Sequence, residues 1–167
     1  MADEYGPNEG PYGKLSINEA EGEIPLREGI LRFPTSPNEP ARIVASKCKK
    51  CGDISFPQKL YCGICDGEEM EEHVLSPRGK VYTYTIVHQM GTPGVEVPHA
   101  LVLVKVPDDD KLLIPGQLTG VKMEDVKIGM EVEVIFGKVR MGMLGLLVGQ
   151  PQDVIGYLFR PVKKVKS

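Results

Sequence analysis

The second half of the chain has the hydrophobic pattern of short β-strands. From Lys80 to His88 (KVYTYTIVH), β-branched and aromatic residues alternate between two faces, one starting at Val81 and the other at Tyr82. Ala100 to Val106 (ALVLVKV) is a second run, and it is nearly apolar on both faces. The polar stretch Asp108 to Asp110 predicts a solvated hairpin loop rather than a cation site, because three like charges in a row do not easily converge on one ion.

Three further runs have strand character, and one helical turn interrupts them. The strands are expected at 112–114, 130–136 and 157–160, and the turn at 123–126. We expect Val132, Val134 and Phe136 to face inward, and Glu131 and Glu133 to face outward. Five or six short strands with one brief helix are typical of a small closed Greek-key barrel, and an OB-fold is the natural choice.

All four cysteines of the chain lie in two matched pairs, each with two residues between its cysteines. Ten residues separate the pairs. This is the spacing of a rubredoxin-like four-cysteine zinc ribbon, in which four thiolates close a tetrahedral structural site. We therefore predict that Cys48, Cys51, Cys62 and Cys65 hold a structural Zn²⁺.

Two alternatives to zinc remain open in the sequence. A four-thiolate site also binds iron, so iron is the metal to exclude first. Two disulfides would suit the same cysteine count in a secreted scaffold, but the chain begins Met-Ala-Asp-Glu, without the features of a signal peptide. We therefore expect a cytoplasmic protein, in a compartment that disfavours structural disulfides. Gly52 and Gly63 suit the tight turns of two metal-binding knuckles.

Residues 1–40 differ from the rest of the chain in composition and charge. They hold eight acidic and three basic side chains, and six of the 14 prolines, which break any long helix or central strand. We interpret them as an extended, acidic, Pro/Gly-rich N-terminal arm. Residues 1–20 are expected to be disordered. Residues 22–34 are expected to order on a partner, because they contain apolar side chains that a free tail does not need: Ile24, Leu26, Ile30, Leu31 and Phe33.

The chain thus divides into four parts, and its predicted fold class is mainly β. The extended arm occupies residues 1–40, the zinc ribbon 41–75, the C-terminal OB-fold β-barrel 76–162, and a basic tail 163–167. The net charge of −3 removes a generic electrostatic case for nucleic-acid binding, and no apolar run is long enough to span a bilayer. We therefore expect neither a nucleic-acid nor a membrane partner.

An ordered set of motifs resembles a known family. The set comprises the two cysteine knuckles, Phe56-Pro57, the run from Arg78 to His88, the strand led by Pro98, the segment from Asp125 to Val132, and Phe159-Arg160-Pro161. Across roughly residues 42–162 the chain resembles the zinc-ribbon/OB-fold proteins associated with acyl-CoA metabolism. The long arm departs from the common pattern of that family, in which a short helix precedes the first knuckle. An arm of this kind is similar to those of the small subunits of benzoylsuccinyl-CoA thiolases from anaerobic toluene degradation.

The resemblance implies a non-catalytic accessory subunit. Members of that family accompany a thiolase-like enzyme, so the implied partners are a thiolase-like catalytic subunit, in a hetero-oligomer, and an acyl-CoA. The residues support a non-catalytic role, because thiolase chemistry needs a nucleophilic cysteine and all four thiols here are assigned to zinc. C–C bond cleavage is then expected on the partner, and this chain is expected to have no catalytic residues of its own.

Coenzyme A or acyl-CoA is expected to be shared with the partner. Its phosphates favour lysine and arginine as contacts. The predicted contacts on this chain are Arg78, Lys80, Arg140 and Arg160. Segments 89–98 and 140–149, rich in glycine, proline and methionine, are expected to face the partner or its acyl-CoA; packing on the chain's own barrel is the alternative.

Single-stranded nucleic-acid binding is the alternative function. OB-folds bind such strands through aromatic stacking in a positive groove, and Tyr82 and Tyr84 would be the stacking residues. The negative net charge, the absence of tryptophan and an aromatic content of only 6% count against nucleic-acid binding. The accessory-subunit interpretation is therefore preferred.

Overall fold

The computed structural model describes residues 8–89, 95–141 and 152–162 of the chain. Within these ranges the regular structure is almost entirely β, which confirms the predicted fold class. The strands are β1 (Glu9–Gly10), β2 (Gly13–Lys14), β3 (Glu23–Pro25), β4 (Leu31–Arg32), β5 (Arg42–Cys48), β6 (Ile54–Ser55), β7 (Met70–Val74), β8 (Arg78–Val87), β9 (His99–Lys105), β10 (Leu113–Leu118), β11 (Glu131–Met141) and β12 (Asp153–Pro161). Two short 3₁₀ helices lie at Glu19–Glu21 and Met123–Asp125. Across the described ranges, no helix has the length and apolar character that a bilayer crossing requires.

Five of these strands close into the predicted OB-fold barrel. β8 pairs with β9, β9 with β10, β10 with β12, β12 with β11, and β11 returns to β8. The β10–β12 pair is parallel and the other four pairs are antiparallel. This path is the Greek key of a five-stranded OB-fold, so the predicted barrel is confirmed. Almost fully buried side chains fill its centre, among them Val104, Ile114, Val132 and Phe159.

A β-bulge in β8 changes the alternation that the sequence predicts for that strand. Val81 is buried on the inward face, and Tyr82 is an extra residue with no partner in the register of β9. One extra residue reverses the faces beyond it. Tyr84 and Ile86 therefore lie opposite buried residues of β9, on the same face as Val81. The prediction that placed Val81 and Tyr84 on opposite faces is wrong for this reason.

Strand β11 has the predicted alternation of inward and outward side chains, although one of the outward glutamates is buried. Val132, Val134 and Phe136 are buried in the barrel, as expected. The side chain of Glu131 is exposed, but Glu133 is only 5% exposed although it lies on the outer face. Glu133 therefore has the predicted outward direction, but arginines from both neighbouring strands cover it and shield it from solvent.

The N-terminal arm lies on the chain's own strands. β2 pairs with β11 and β3 pairs with β12, both in parallel, while β4 pairs with β5. Ile30 is almost fully buried, and Phe33 packs edge-to-face on Phe136 with ring centres 4.9 Å apart. The expectation that residues 22–34 order on a partner is therefore corrected, since they pack on the same chain. The expected disorder is corrected for residues 8–20, which form β1, β2 and a 3₁₀ helix.

The cysteine-bearing ribbon is a small sheet in which β5 pairs with both β6 and β7. Side-chain contacts within the described ranges join it to the barrel. Phe56 packs on Tyr157 with ring centres 5.7 Å apart. Asp108, in the loop between β9 and β10, lies 3.1 Å from Nε2 of His73 in β7. It also accepts the backbone N–H of Ser76, where the chain passes from the ribbon into the barrel, at 2.9 Å. The prediction of a solvated loop at 108–110 is thus wrong for Asp108, which ties the barrel to the ribbon.

Gly13 allows the backbone of the arm to lie close to the backbone of the barrel. It lies opposite Phe136 and has a φ of +84°, a left-handed conformation that favours glycine. A Cβ atom at this position would collide with the carbonyl oxygen of Phe136. Only a residue without a side chain can therefore hold β2 against β11 in this arrangement.

Replacing Gly13 with alanine is expected to destabilise the fold by about 3 kcal/mol, because it adds a backbone collision to the cost of a left-handed residue. Gly129 provides a matched control, since its φ is +82° and an added Cβ would meet nothing within 4 Å. Gly129→Ala should cost only about 1 kcal/mol. Urea unfolding followed by circular dichroism measures both losses. Equal losses would contradict the close approach of the arm.

Candidate metal centre and cationic barrel face

The four cysteines lie in two turns with the same backbone hydrogen bonds. In each turn the N–H of the first cysteine donates to the carbonyl oxygen five residues later, and its own carbonyl oxygen accepts the N–H four residues later. These bonds are 2.9 and 2.8 Å long at Cys48, and 2.9 and 3.1 Å long at Cys62. The repeated cysteine spacing therefore corresponds to a repeated local structure.

A left-handed residue follows the second cysteine of each turn. In the first turn it is Gly52, with a φ of 80°, as the sequence predicts. In the second turn it is Asp66, with a φ of 53°, and not Gly63. Aspartate tolerates this conformation better than most residues. The expectation for Gly63 is wrong, although the signal was present, because Asp66 has the same offset from its cysteines as Gly52.

The sulfur atoms of the four cysteines converge on one point. Sγ of Cys48 lies 3.6 Å from Sγ of Cys65, and Sγ of Cys51 lies 3.5 Å from Sγ of Cys62. All four sulfur atoms lie within 4.8 Å of one another. A tetrahedral zinc with Zn–S bonds of about 2.3 Å separates its sulfur ligands by about 3.8 Å. The donor set and its spacing therefore fit a four-coordinate thiophilic metal.

The surroundings of the cluster favour thiolate at one position. The backbone N–H of Cys51 donates to the sulfur of Cys48 and lowers the pKa of the Cys48 thiol to about 7. The N–H of Ile64 donates to Sγ of Cys62 at 3.4 Å. Gly67 closes the other side, because an added Cβ would lie 3.2 Å from Sγ of Cys48. The role of Gly67 was not predicted, since its contact with the cluster arises from the fold of the second turn.

Three of the four predicted coenzyme A contacts lie on one outer face of the barrel. Arg78 and Lys80 project from β8 and Arg160 from β12, with β11 between these strands. In the sheet register, Lys80 lies opposite Glu131, while Glu133 lies opposite both Arg78 and Arg160. The face therefore carries cations on both sides of a central strand that supplies two carboxylates.

Glu133 is the hub of this face. Its Oε1 accepts a hydrogen bond from Nε of Arg160 at 2.9 Å and forms an ion pair with Nη2 of the same side chain, also at 2.9 Å. Its Oε2 lies 3.6 Å from Nη2 of Arg78. The guanidinium of Arg160 also lies over the ring of Tyr12, 5.6 Å from its centre. Arg160 is thus held between the arm and the barrel, whereas the side chain of Arg78 remains 63% exposed.

Two grooves open on this face. The first has a volume of about 520 Å³ and is lined by three cations and two carboxylates: Arg78, Lys80, Lys105, Asp110 and Glu131. Val106, Pro107 and Val162 are among its apolar residues. The second, of about 410 Å³, is lined by Arg160 and also touches Val162. The two predicted contacts on β8 therefore share one groove, and Arg160 lies in the adjacent one.

Arg140 lies apart from the other predicted contacts. It is seven residues beyond Glu133 along β11, which is about 23 Å of extended strand. Half of the predicted partner-facing segment 89–98 (residues 90–94) and most of the segment 140–149 (residues 142–149) lie outside the described ranges. Arg140 therefore stays a prediction separate from the cationic face.

Comparison with known proteins agrees with this architecture. Residues 72–137 match the family model described as ChsH2, C-terminal OB-fold domain. A "DUF35 domain-containing scaffold protein" from Pyrococcus furiosus is 37% identical over 129 residues, which cover 75% of this chain and 88% of the relative. "Benzoylsuccinyl-CoA thiolase subunit BbsA" from Thauera aromatica is 34% identical over 159 residues, covering 95% of this chain and 99% of the relative.

The chain therefore belongs to the DUF35 family, and the resemblance to the zinc-ribbon/OB-fold proteins of acyl-CoA metabolism is confirmed. A solved structure named "Ltp2-ChsH2(DUF35) aldolase" has the same fold, with a TM-score of 0.58 and 22% sequence identity. That match covers 72% of this chain and 84% of the solved chain.

Replacing Glu133 with glutamine is expected to destabilise the protein by about 2 kcal/mol, because it leaves the partly buried Arg160 without its carboxylate. Glu131→Gln is the matched control on the same strand. Its partner Lys80 is 4.0 Å away and both side chains are about two-thirds exposed, so the change should stay within about 0.5 kcal/mol. Urea unfolding of the two variants compares them, and equal stabilities would contradict the role of Glu133 as a hub.

Proposed function

We propose that this chain is a non-catalytic, zinc-binding accessory subunit of a thiolase-type acyl-CoA complex. The observation that carries the proposal is the nearly full-length similarity to a thiolase subunit, which spans 159 residues and includes the arm. The archaeal scaffold proteins match only about three quarters of the chain. A relative that shares the arm is the better guide to the function of a chain in which the arm is built into the barrel.

The chemistry of the chain supports an accessory role. A thiolase needs a cysteine nucleophile and a base. Each of the four cysteines of this chain lies in the sulfur cluster, and a thiolate bound in a closed metal site is not free to attack an acyl group. C–C bond cleavage by CoA-dependent acyl transfer is therefore assigned to the partner subunit.

The metal in this proposal is a structural Zn²⁺ held by Cys48, Cys51, Cys62 and Cys65. Four thiolates leave no open position for substrate, so its contribution is to fold the ribbon. The second turn and the residues just before it bury little apolar surface, since Leu60, Tyr61 and Ile64 are all more than half exposed. A metal clamp is the physical means by which such a segment keeps one shape.

The substrate we propose for the complex is benzoylsuccinyl-CoA, by similarity to BbsA. This chain would contribute cationic contacts to the coenzyme through Arg78, Lys80 and Arg160, while Arg140 would act separately at the far end of β11. The segments 89–98 and 140–149 are proposed to face the catalytic subunit. A pull-down from the native host tests the partner, and recovery of no thiolase-like protein with the tagged chain would argue against the proposal.

Metal analysis tests the proposed zinc site directly. The purified protein should contain one zinc per chain, and Cys65→Ser should lose most of it and lower the unfolding midpoint, because three thiolates bind the ion less tightly. Ile64→Ala, an exposed neighbour in the same turn, is the control and should keep its zinc. Iron in place of zinc, or full zinc occupancy in Cys65→Ser, would contradict the assignment.

A further inference from the structure

Two lysines face each other across the β8–β9 pair without a shared counter-charge. Lys80 lies directly opposite Lys105 in the register of the two strands. Like charges at directly opposed positions of a sheet are destabilising. Glu131 is 4.0 Å from Lys80, and Asp110 is 3.0 Å from Lys105 but is 95% exposed. Such exposed pairs contribute little, so the lysine pair remains a cost to the free protein.

The same two lysines line the first groove together with Arg78. A Cβ atom on Gly79, between Arg78 and Lys80, would lie 2.6 Å from Cγ1 of Val104, so the missing side chain lets β9 lie close beneath this end of β8. Glu133 holds one nitrogen of the Arg78 guanidinium and leaves the remainder of this side chain exposed to the groove. Three cations and two carboxylates, Glu131 and Asp110, thus line one concave site, which keeps a net positive charge on a chain of net charge −3.

We propose that this groove binds the nucleotide end of a coenzyme A thioester, with the phosphates on Lys80, Lys105 and Arg78. This assignment rests on the proposed function, which supplies acyl-CoA as the ligand class, and it adds Lys105 and the orientation of the coenzyme. A phosphate group between Lys80 and Lys105 turns their repulsion into two favourable ion pairs. The like-charge pair is then explained as a feature kept for binding at the expense of stability.

The charge and shape of the groove favour the nucleotide end over the acyl end. The 3′-phosphate and pyrophosphate concentrate several negative charges in a short length, whereas the acyl portion of a dicarboxylic thioester carries only one carboxylate. The apolar side of the groove, formed by Val106, Pro107 and Val162, suits an adenine ring. Arg160 is less available for this task because Glu133 and Tyr12 already hold its guanidinium.

Calorimetric titration of the full-length protein with adenosine 3′,5′-bisphosphate tests the proposal. The wild type should bind this probe at low salt, and should bind adenosine at least tenfold more weakly. Lys105→Gln should weaken bisphosphate binding about tenfold, through the loss of a charge-assisted contact. The same substitution should raise the unfolding midpoint, because it removes the like-charge pair. A purely structural lysine would not produce weaker binding together with greater stability.

Lys138→Gln is the matched control. Lys138 is 45% exposed with Asp153 at 2.7 Å, compared with 42% and Asp110 at 3.0 Å for Lys105, and it lies toward the other end of β11. Its replacement should leave bisphosphate binding unchanged and should not raise the midpoint. Absence of bisphosphate binding by the wild type, or equal binding by the two variants, would overturn the proposal.

Two further comparisons distinguish this proposal from nucleic-acid binding and from the proposed function on which it rests. An oligothymidylate that binds as tightly as the bisphosphate would indicate a nucleic-acid groove and would sink the coenzyme assignment. Co-purification of the Lys105→Gln protein with a thiolase-like partner tests the proposed function separately from the groove. A retained partner with no bisphosphate binding by the wild type overturns the groove alone. Bisphosphate binding that depends on Lys105, without any thiolase partner, supports the groove and overturns the proposed function.

Discussion

The antiparallel pairing of β11 with β12 is the contact on which the rest of the structure depends. It closes the five-stranded barrel, and its outer edges receive the arm, with β2 on β11 and β3 on β12. Glu133 and Arg160 face each other across the same pair. Closure of the barrel, attachment of the arm and order of the cationic face therefore all depend on the same pair of strands.

The arm connects parts of the molecule that the sequence separates. Its first strands lie along the barrel and β4 lies along β5, the strand that ends at Cys48. The ribbon is also tied to the barrel by the Phe56–Tyr157 contact and by Asp108. The cysteine turns and the cationic face are thus held in one body. In our proposal, the catalytic subunit meets a surface to which the arm, the ribbon and the barrel all contribute.

The sequence predicted those features that local pattern controls. Cysteine spacing predicted the convergence of four sulfur atoms, and alternation predicted the buried residues of β11. It did not predict the bulge at Tyr82, because one extra residue leaves no mark in composition. The burial of Glu133 also escaped prediction, since it depends on which strands become neighbours of β11, and that choice is made by the fold as a whole. The place of the arm was missed for the same reason, because apolar residues in a proline-rich segment do not identify the surface that they cover.

The position of the arm has a consequence for how the chain reaches its final form. Gly13 pairs with Phe136 and Ile24 with Val154, so strands that are synthesised earlier pair with strands that are synthesised more than a hundred residues later. Contacts this distant along the chain carry a large loop-closure cost and form late. During synthesis the arm has no surface to lie on, and its acidic, proline-rich composition suits a segment that must stay extended in water until the barrel exists.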